Sequence, residues 1–138
     1  MNNDYIISPW LFNDEIVTIE LLSPYFGFVY IITDIETNKK YIGRKYIWTM
    51  KKQNNSSRRK KTESDWKKYF SSNIDLKQIG KENPGRLKRE ILHLCKGKGE
   101  TNWREVEEII KHNAIYNQDF LNDNLLGKYF RKNVSRYY

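Results

Sequence analysis

Cysteine is nearly absent. Cys95 is the only one in 138 residues, which excludes an internal disulfide. No Cys/His set has zinc spacing, so neither bridges nor a structural metal should brace the fold, and a reducing compartment follows. Cys95 itself reads as a small buried apolar residue. No apolar run approaches the roughly 20 residues needed to span a bilayer, and the opening Met1-Asn2-Asn3-Asp4-Tyr5 lacks the cationic start of a signal peptide. The expectation is a soluble, cytoplasmic protein with no membrane partner.

Charge of one sign is missing from two stretches. Residues 1–38 hold six acids (Asp4, Asp14, Glu15, Glu20, Asp34, Glu36) and no Lys or Arg, whereas residues 39–61 hold ten cations and no acid. The net charge of +8 makes a polyanion the first partner to consider, since many phosphates can be neutralised together with release of counterions. The segregation aims that field at one part of the molecule.

What is present suits one ordinary domain: 38% apolar residues and 14% aromatics. Residues 1–25 read as an acidic lead-in that packs on the domain, and 26–138 as the domain itself. The aromatic and β-branched runs Phe26–Thr33 and Lys40–Trp48 flank Asp34-Ile35-Glu36-Thr37-Asn38, which predicts a β-hairpin. Residues 49–63 carry no apolar period and read as a long loop. A short helix is expected at Asp65–Phe70, and another capped by Ser71/Ser72 and closed by Gly80. Leu87–Leu94 should be a third strand. Lys96–Gly99 should turn into a helix over Trp103–Ile115 with Trp103, Val106, Ile109, Ile110 and Ala114 on one side, and a last helix is expected near Asp123–Lys132.

The chemistry sits in Phe28-Val29-Tyr30 and Tyr41-Ile42-Gly43. Opposed residues of a hairpin share a constant index sum, and an even loop centred on Ile35/Glu36 gives about 71, setting Tyr30 directly across from Tyr41. The same face continues through Gly43, an opening in the side-chain layer, to Lys45. A cation beside two phenols favours phenolate and brings a base of pKa about 10 nearer to use. The bland reading is a half-buried pleated surface on which tyrosines pack.

These two motifs and the elements after them resemble the GIY-YIG nuclease superfamily, whose first motif is here the variant Phe-Val-Tyr preceded by Gly27. The resemblance covers about residues 26–122 and is similar to the small free-standing members of phage genomes. It implies an α/β fold with a three-stranded antiparallel sheet flanked by helices, hydrolysis of DNA phosphodiesters, and one divalent ion, Mg²⁺ or Mn²⁺. It implies Tyr30 and Tyr41 as the catalytic pair, either being the base. The family's arginine position falls on Lys51, so Arg44 and Lys45, or else Arg58 or Arg59, are left to clamp phosphate. Glu105 matches the metal-binding glutamate, although with Asn102 as N-cap it would equally close a capping box. Asn122, with Asn117 as competitor, matches the supporting asparagine.

Arg44, Lys45, Lys51, Arg58, Arg59, Lys60, Lys61, Lys67 and Lys68 are expected to meet DNA backbone. Trp66 and Tyr69, at i and i+3 on a short helix, read first as packing residues and second as platforms on which bases stack, and His93 and His112 as structural or exposed. A catalytically idle nucleic-acid-binding module is the rival reading. Homing, restriction and structure-specific cutting stay open, as does a homodimer, which two opposed cuts would require unless nicks are sequential.

Overall fold

In the computed structural model, which describes residues 7–52 and 59–138, the expected hairpin forms from β3 (Gly27–Asp34) and β4 (Lys40–Tyr46). β7 (Leu87–Cys95) pairs antiparallel on the other side of β3. These three strands are the antiparallel core that the resemblance implies, but the sheet has five. β1 (Trp10–Phe12) lies parallel to β7, and β2 (Glu15–Ile16) turns back on β1, giving the order β2-β1-β7-β3-β4 and a mixed sheet. The lead-in thus supplies two strands to the sheet, with a short helix α1 (Ile19–Leu22) after them.

The hairpin register differs from expectation. Tyr30 faces Gly43, and Tyr41 faces Ile32, an index sum of 73. The turn sits one residue later because its chemistry does: Asp34 accepts the Glu36 N–H at 3.0 Å, and Asn38 takes the left-handed conformation (φ 60°). A shift of two in the sum preserves parity, so the tyrosines become diagonal neighbours on one face.

Further elements also depart from the sequence pattern. Residues 49–63 contain a two-stranded ribbon, β5 (Trp48–Lys52) with β6 (Arg59–Glu63), in place of a loop. Helix α2 (Ile74–Glu82) is capped by Asn73, whose side chain accepts the Leu76 N–H, and runs through Gly80. Gly80 serves packing there: a Cβ would stand 2.5 Å from Phe70 Cγ. Residues 66–68 form only a 3₁₀ turn. Helix α3 (Lys98–Lys111) begins a turn earlier than expected, with Gly97 as N-cap and Glu100 reaching back to the Lys96 N–H at 2.8 Å. The C-terminal region is a small hairpin, β8 (Asn124–Leu125) with β9 (Tyr129–Phe130), and a one-turn helix α4 (Arg131–Val134).

The sheet separates two apolar layers. One face packs Phe28, Tyr30, Ile32 and Ile91 with Trp10, Leu22, Trp66, Phe70 and Leu76. The other packs Val29, Ile42 and Cys95 under Ile109 of α3. The fully buried Arg89 ties the first layer to its surroundings. Its guanidinium donates to the carbonyls of Ser8, Lys67 and Tyr69 and lies 4.7 Å from the Trp10 ring and 4.2 Å from that of Phe70. This fixes the backbone of Tyr69 against the sheet.

At the hairpin tip, Arg86 grips the buried Asp34 carboxylate with two bonds of 2.8 and 2.7 Å. Those bonds hold its pKa near 2, below the ordinary 3.8, against the opposing pull of burial. A depressed carboxylate stabilises the fold above about pH 4, and this stabilisation of about 2 kcal/mol is lost as pH falls through 2. Asp34→Asn should therefore flatten the acid limb of stability measured by denaturant melts between pH 5 and 2, with little difference from wild type remaining at pH 2.

Candidate active site

The site straddles the open edge of β4. Along residues 40–42 that edge is covered by the chain at 119–122. Lys40 N–H donates to Asp119, Leu121 N–H donates to Lys40, and the buried Asn122 side chain acts like a strand residue. Its Oδ1 accepts the Ile42 N–H at 3.0 Å and its Nδ2 donates to the Ile42 carbonyl at 2.8 Å. Asn122 therefore pins the peptide between Tyr41 and Gly43, a positioning role. Asn117 instead folds back on its own turn, accepting the Asp119 N–H.

Beyond Ile42 the edge opens on a cleft of about 660 Å³ lined by Tyr30, Tyr41, Gly43, Arg44, Lys45, Tyr69, Ser72 and Glu105, among others. Tyr30 and Tyr41 reach it from one face of the sheet. Arg44, opposite Val29, belongs to the face covered by α3 and meets Glu105 there at 2.6 Å. A strand edge is the place where side chains of both faces converge.

Tyr30 lies fully buried, with its hydroxyl in the gap left by Gly43: a Cβ at Gly43 would be 2.4 Å from Tyr30 Oη. Its ring is held edge-on by Trp10 (5.2 Å) and Tyr69 (6.0 Å). Burial pushes its pKa well above the ordinary value of 10, and Tyr69, Tyr41 and Glu105 push the same way. The expected easing of ionisation by a neighbouring cation does not hold for this residue, because desolvation dominates. Lys45 lies over the Tyr69 ring at 4.2 Å and is paired with Asp65. Tyr41 is only half-buried, and its hydroxyl meets Ser72 Oγ at 3.2 Å.

Glu105 falls in the middle of α3, so the capping-box reading does not apply to it; Asn102 is inside the helix and accepts the Tyr46 hydroxyl at 2.7 Å. The buried face of α3 runs through Thr101, Glu108 and Ile109, leaving Trp103 and Ile110 exposed. Glu108 is buried rather than solvent-facing, bonded to His93 at 2.7 Å with His112 at 3.3 Å, so both histidines have a partner. Glu105 faces the cleft from the same side of the helix.

Among the described residues, no group of three or more His, Cys, Asp or Glu is placed to hold a metal ion. A single cleft-facing carboxylate with room for waters and phosphate oxygens still suits Mg²⁺, which keeps several waters and needs no protein cage. Of the expected phosphate contacts, Lys51, Arg59, Lys60 and Lys61 lie exposed on the ribbon, Lys67 and Lys68 on the turn beside Tyr69, and Arg58 outside the described residues. Tyr69, Ser72 and Asp65 are site residues that the sequence pattern missed. Only the spacing of Trp66 and Tyr69 singled one of them out, and packing explains Trp66, which is buried.

A strand pair presenting two phenols, with an arginine and a helical carboxylate closing one cleft, is the arrangement that the resemblance implies for a small nuclease domain. Residues 10–134 match the family model described as "Putative endonuclease segE, GIY-YIG domain", and the chain belongs to the GIY-YIG endonuclease family. No curated protein and no solved structure gives a match. Among the described residues, no helix is long and apolar enough to cross a membrane.

Proposed function

We propose that the protein is a DNA endonuclease dependent on a divalent metal, hydrolysing phosphodiester bonds in this cleft. The observation that carries the reading is the convergence of Tyr30, Tyr41, Arg44 and Glu105 on one cavity large enough for a phosphate and its neighbours. Water attacks phosphorus, the bond to the 3′-oxygen breaks, and the proton of the attacking water must leave. Tyr41, the tyrosine open to the cleft, accepts that proton in its phenolate form, and the departing 3′-oxygen takes a proton from solvent water. Tyr30 stays protonated in its buried setting and acts as a hydrogen-bonding partner that orients the nucleophile.

Glu105 would hold the Mg²⁺ or Mn²⁺ ion, which when bound stabilises charge building on the phosphorane-like centre and the leaving oxygen. Arg44 binds the non-bridging oxygens, and Lys45, held near by Asp65, adds positive potential. Asn122 keeps the edge of β4 in register.

Plasmid nicking in Mg²⁺ against EDTA tests the reading. Cleavage should need the metal, and Tyr41→Phe should lower it by about 10²- to 10⁴-fold, the usual range for a lost proton acceptor. Tight DNA binding with no cleavage in any divalent metal would overturn the enzyme assignment and favour an idle binding module.

A further inference from the structure

We propose that the β5–β6 ribbon is an arm that enters the major groove of B-form DNA beside the cleft; this rests on the nuclease reading of the cleft. The ribbon is a two-stranded sheet of its own, and every described residue of its strands past Trp48 is exposed. Its pairing sets like charges face to face: Lys51 opposite Lys60 and Lys52 opposite Arg59, with Lys61 opposite Met50. Directly opposed like charges weaken a strand pair, and an isolated ribbon is marginal to begin with. Such a pattern works against folding in water and is matched by a polyanion that threads past both strands.

The root of the arm is fixed. Ile47 is fully buried and its N–H donates to Phe26, Ser64 N–H donates back to Ile47, and the Trp48 indole donates to the Tyr25 carbonyl at 3.0 Å. Lys61 lies 4.2 Å over the Trp48 ring, closing the base from the other strand. Trp48, Thr49 and Met50 line the same cleft as Tyr41 and Glu105. A phosphate in that cleft therefore has the arm alongside.

Dimensions choose the groove. Five residues per strand reach about 17 Å, and the strands stand about 4.8 Å apart. A major groove about 12 Å wide and 8.5 Å deep admits a two-stranded ribbon, a minor groove of about 6 Å does not, and the A-form RNA major groove is too deep and narrow. Thr49 and Thr62 face each other on the side of the ribbon that carries Lys51 and Lys60; the Thr49 hydroxyl donates to the Thr62 carbonyl at 3.3 Å, and its oxygen is left to accept from base edges.

Fluorescence anisotropy in EDTA at fixed ionic strength tests the arm without reading cleavage. Duplex DNA should bind at least tenfold tighter than duplex RNA or single strands. Bulky substituents on the pyrimidine C5 positions, which fill the major groove, should weaken binding at least tenfold, whereas a minor-groove ligand should not. Lys60→Glu places an opposite charge across from Lys51; the melting temperature should hold or rise while duplex affinity falls at least tenfold. Unchanged affinity of Lys60→Glu, indifference to C5 bulk, or blockage by the minor-groove ligand alone would overturn the arm. Groove-dependent binding without Mg²⁺-dependent cutting would leave the arm standing and overturn only the nuclease reading.

Discussion

Gly43→Ala should remove at least 10²-fold of cleavage activity and about 1–3 kcal/mol of stability, although it adds a single methyl group. The new Cβ would stand 2.4 Å from Tyr30 Oη and 2.7 Å from Cζ, so something has to move. Tyr30 has no free direction: Trp10, Phe28 and Tyr69 pack its ring, and the residue is fully buried. The edge strand yields more easily, and with it Tyr41 and Arg44, the residues on either side of the 42–43 peptides that Asn122 pins. The double variant Gly43→Ala/Tyr30→Phe separates the two effects. Removing the hydroxyl relieves the closest contact but not the one at Cζ, so part of the stability should return in thermal melts with no recovery of nicking. A Gly43→Ala protein as stable and active as wild type would mean that Tyr30 does not occupy that gap.

This contact also shows how far the sequence could be read. Alternation along a strand is fixed by parity, so Tyr30, Tyr41, Gly43 and Lys45 were assignable to one face even though the turn shifted the register. The opening at Gly43 was legible as well; that the hydroxyl of Tyr30 fills it was not, because the direct pairing of Tyr30 with Gly43 depends on the turn made by Asp34 and Asn38. β1 escaped notice because three residues, Trp10–Phe12, are too few for a period, and their strand partner β7 is far along the chain. Past Trp48 the β5–β6 ribbon packs neither face against a core, so the apolar alternation by which strands are recognised is absent from it. The burial of Glu108 was not legible either: it is sustained by His93 and His112, partners that a helical wheel does not contain. Tyr69 enters the site through Arg89, which holds its carbonyl, and no local pattern announces such a link.

Glu105→Gln should be the most damaging conservative change, lowering cleavage by at least 10³-fold, about 4 kcal/mol of barrier. The amide keeps the size of the side chain and the helix around it, yet a neutral oxygen is a poor ligand for a hard cation. The Arg44 pair makes the prediction more specific. At 2.6 Å the guanidinium already occupies one carboxylate oxygen, so cation binding at Glu105 competes with Arg44 for the same charge. Arg44→Met should therefore bind Mn²⁺ several-fold more tightly than wild type, measured by the loss of the free-ion paramagnetic resonance signal, while cutting DNA more slowly because the phosphate has lost its clamp. Glu105→Gln should bind no Mn²⁺ at that site. If both variants bound the ion as wild type does, the carboxylate would not be the ligand; if Arg44→Met bound it more weakly, the guanidinium would be organising Glu105 and not competing for it. On the proposed reading, a geometry in which an arginine guards the only cleft-facing carboxylate among the described residues would let substrate and metal each free the partner the other needs: phosphate drawing Arg44 away would expose Glu105, and a cation on Glu105 would release Arg44 to the phosphate.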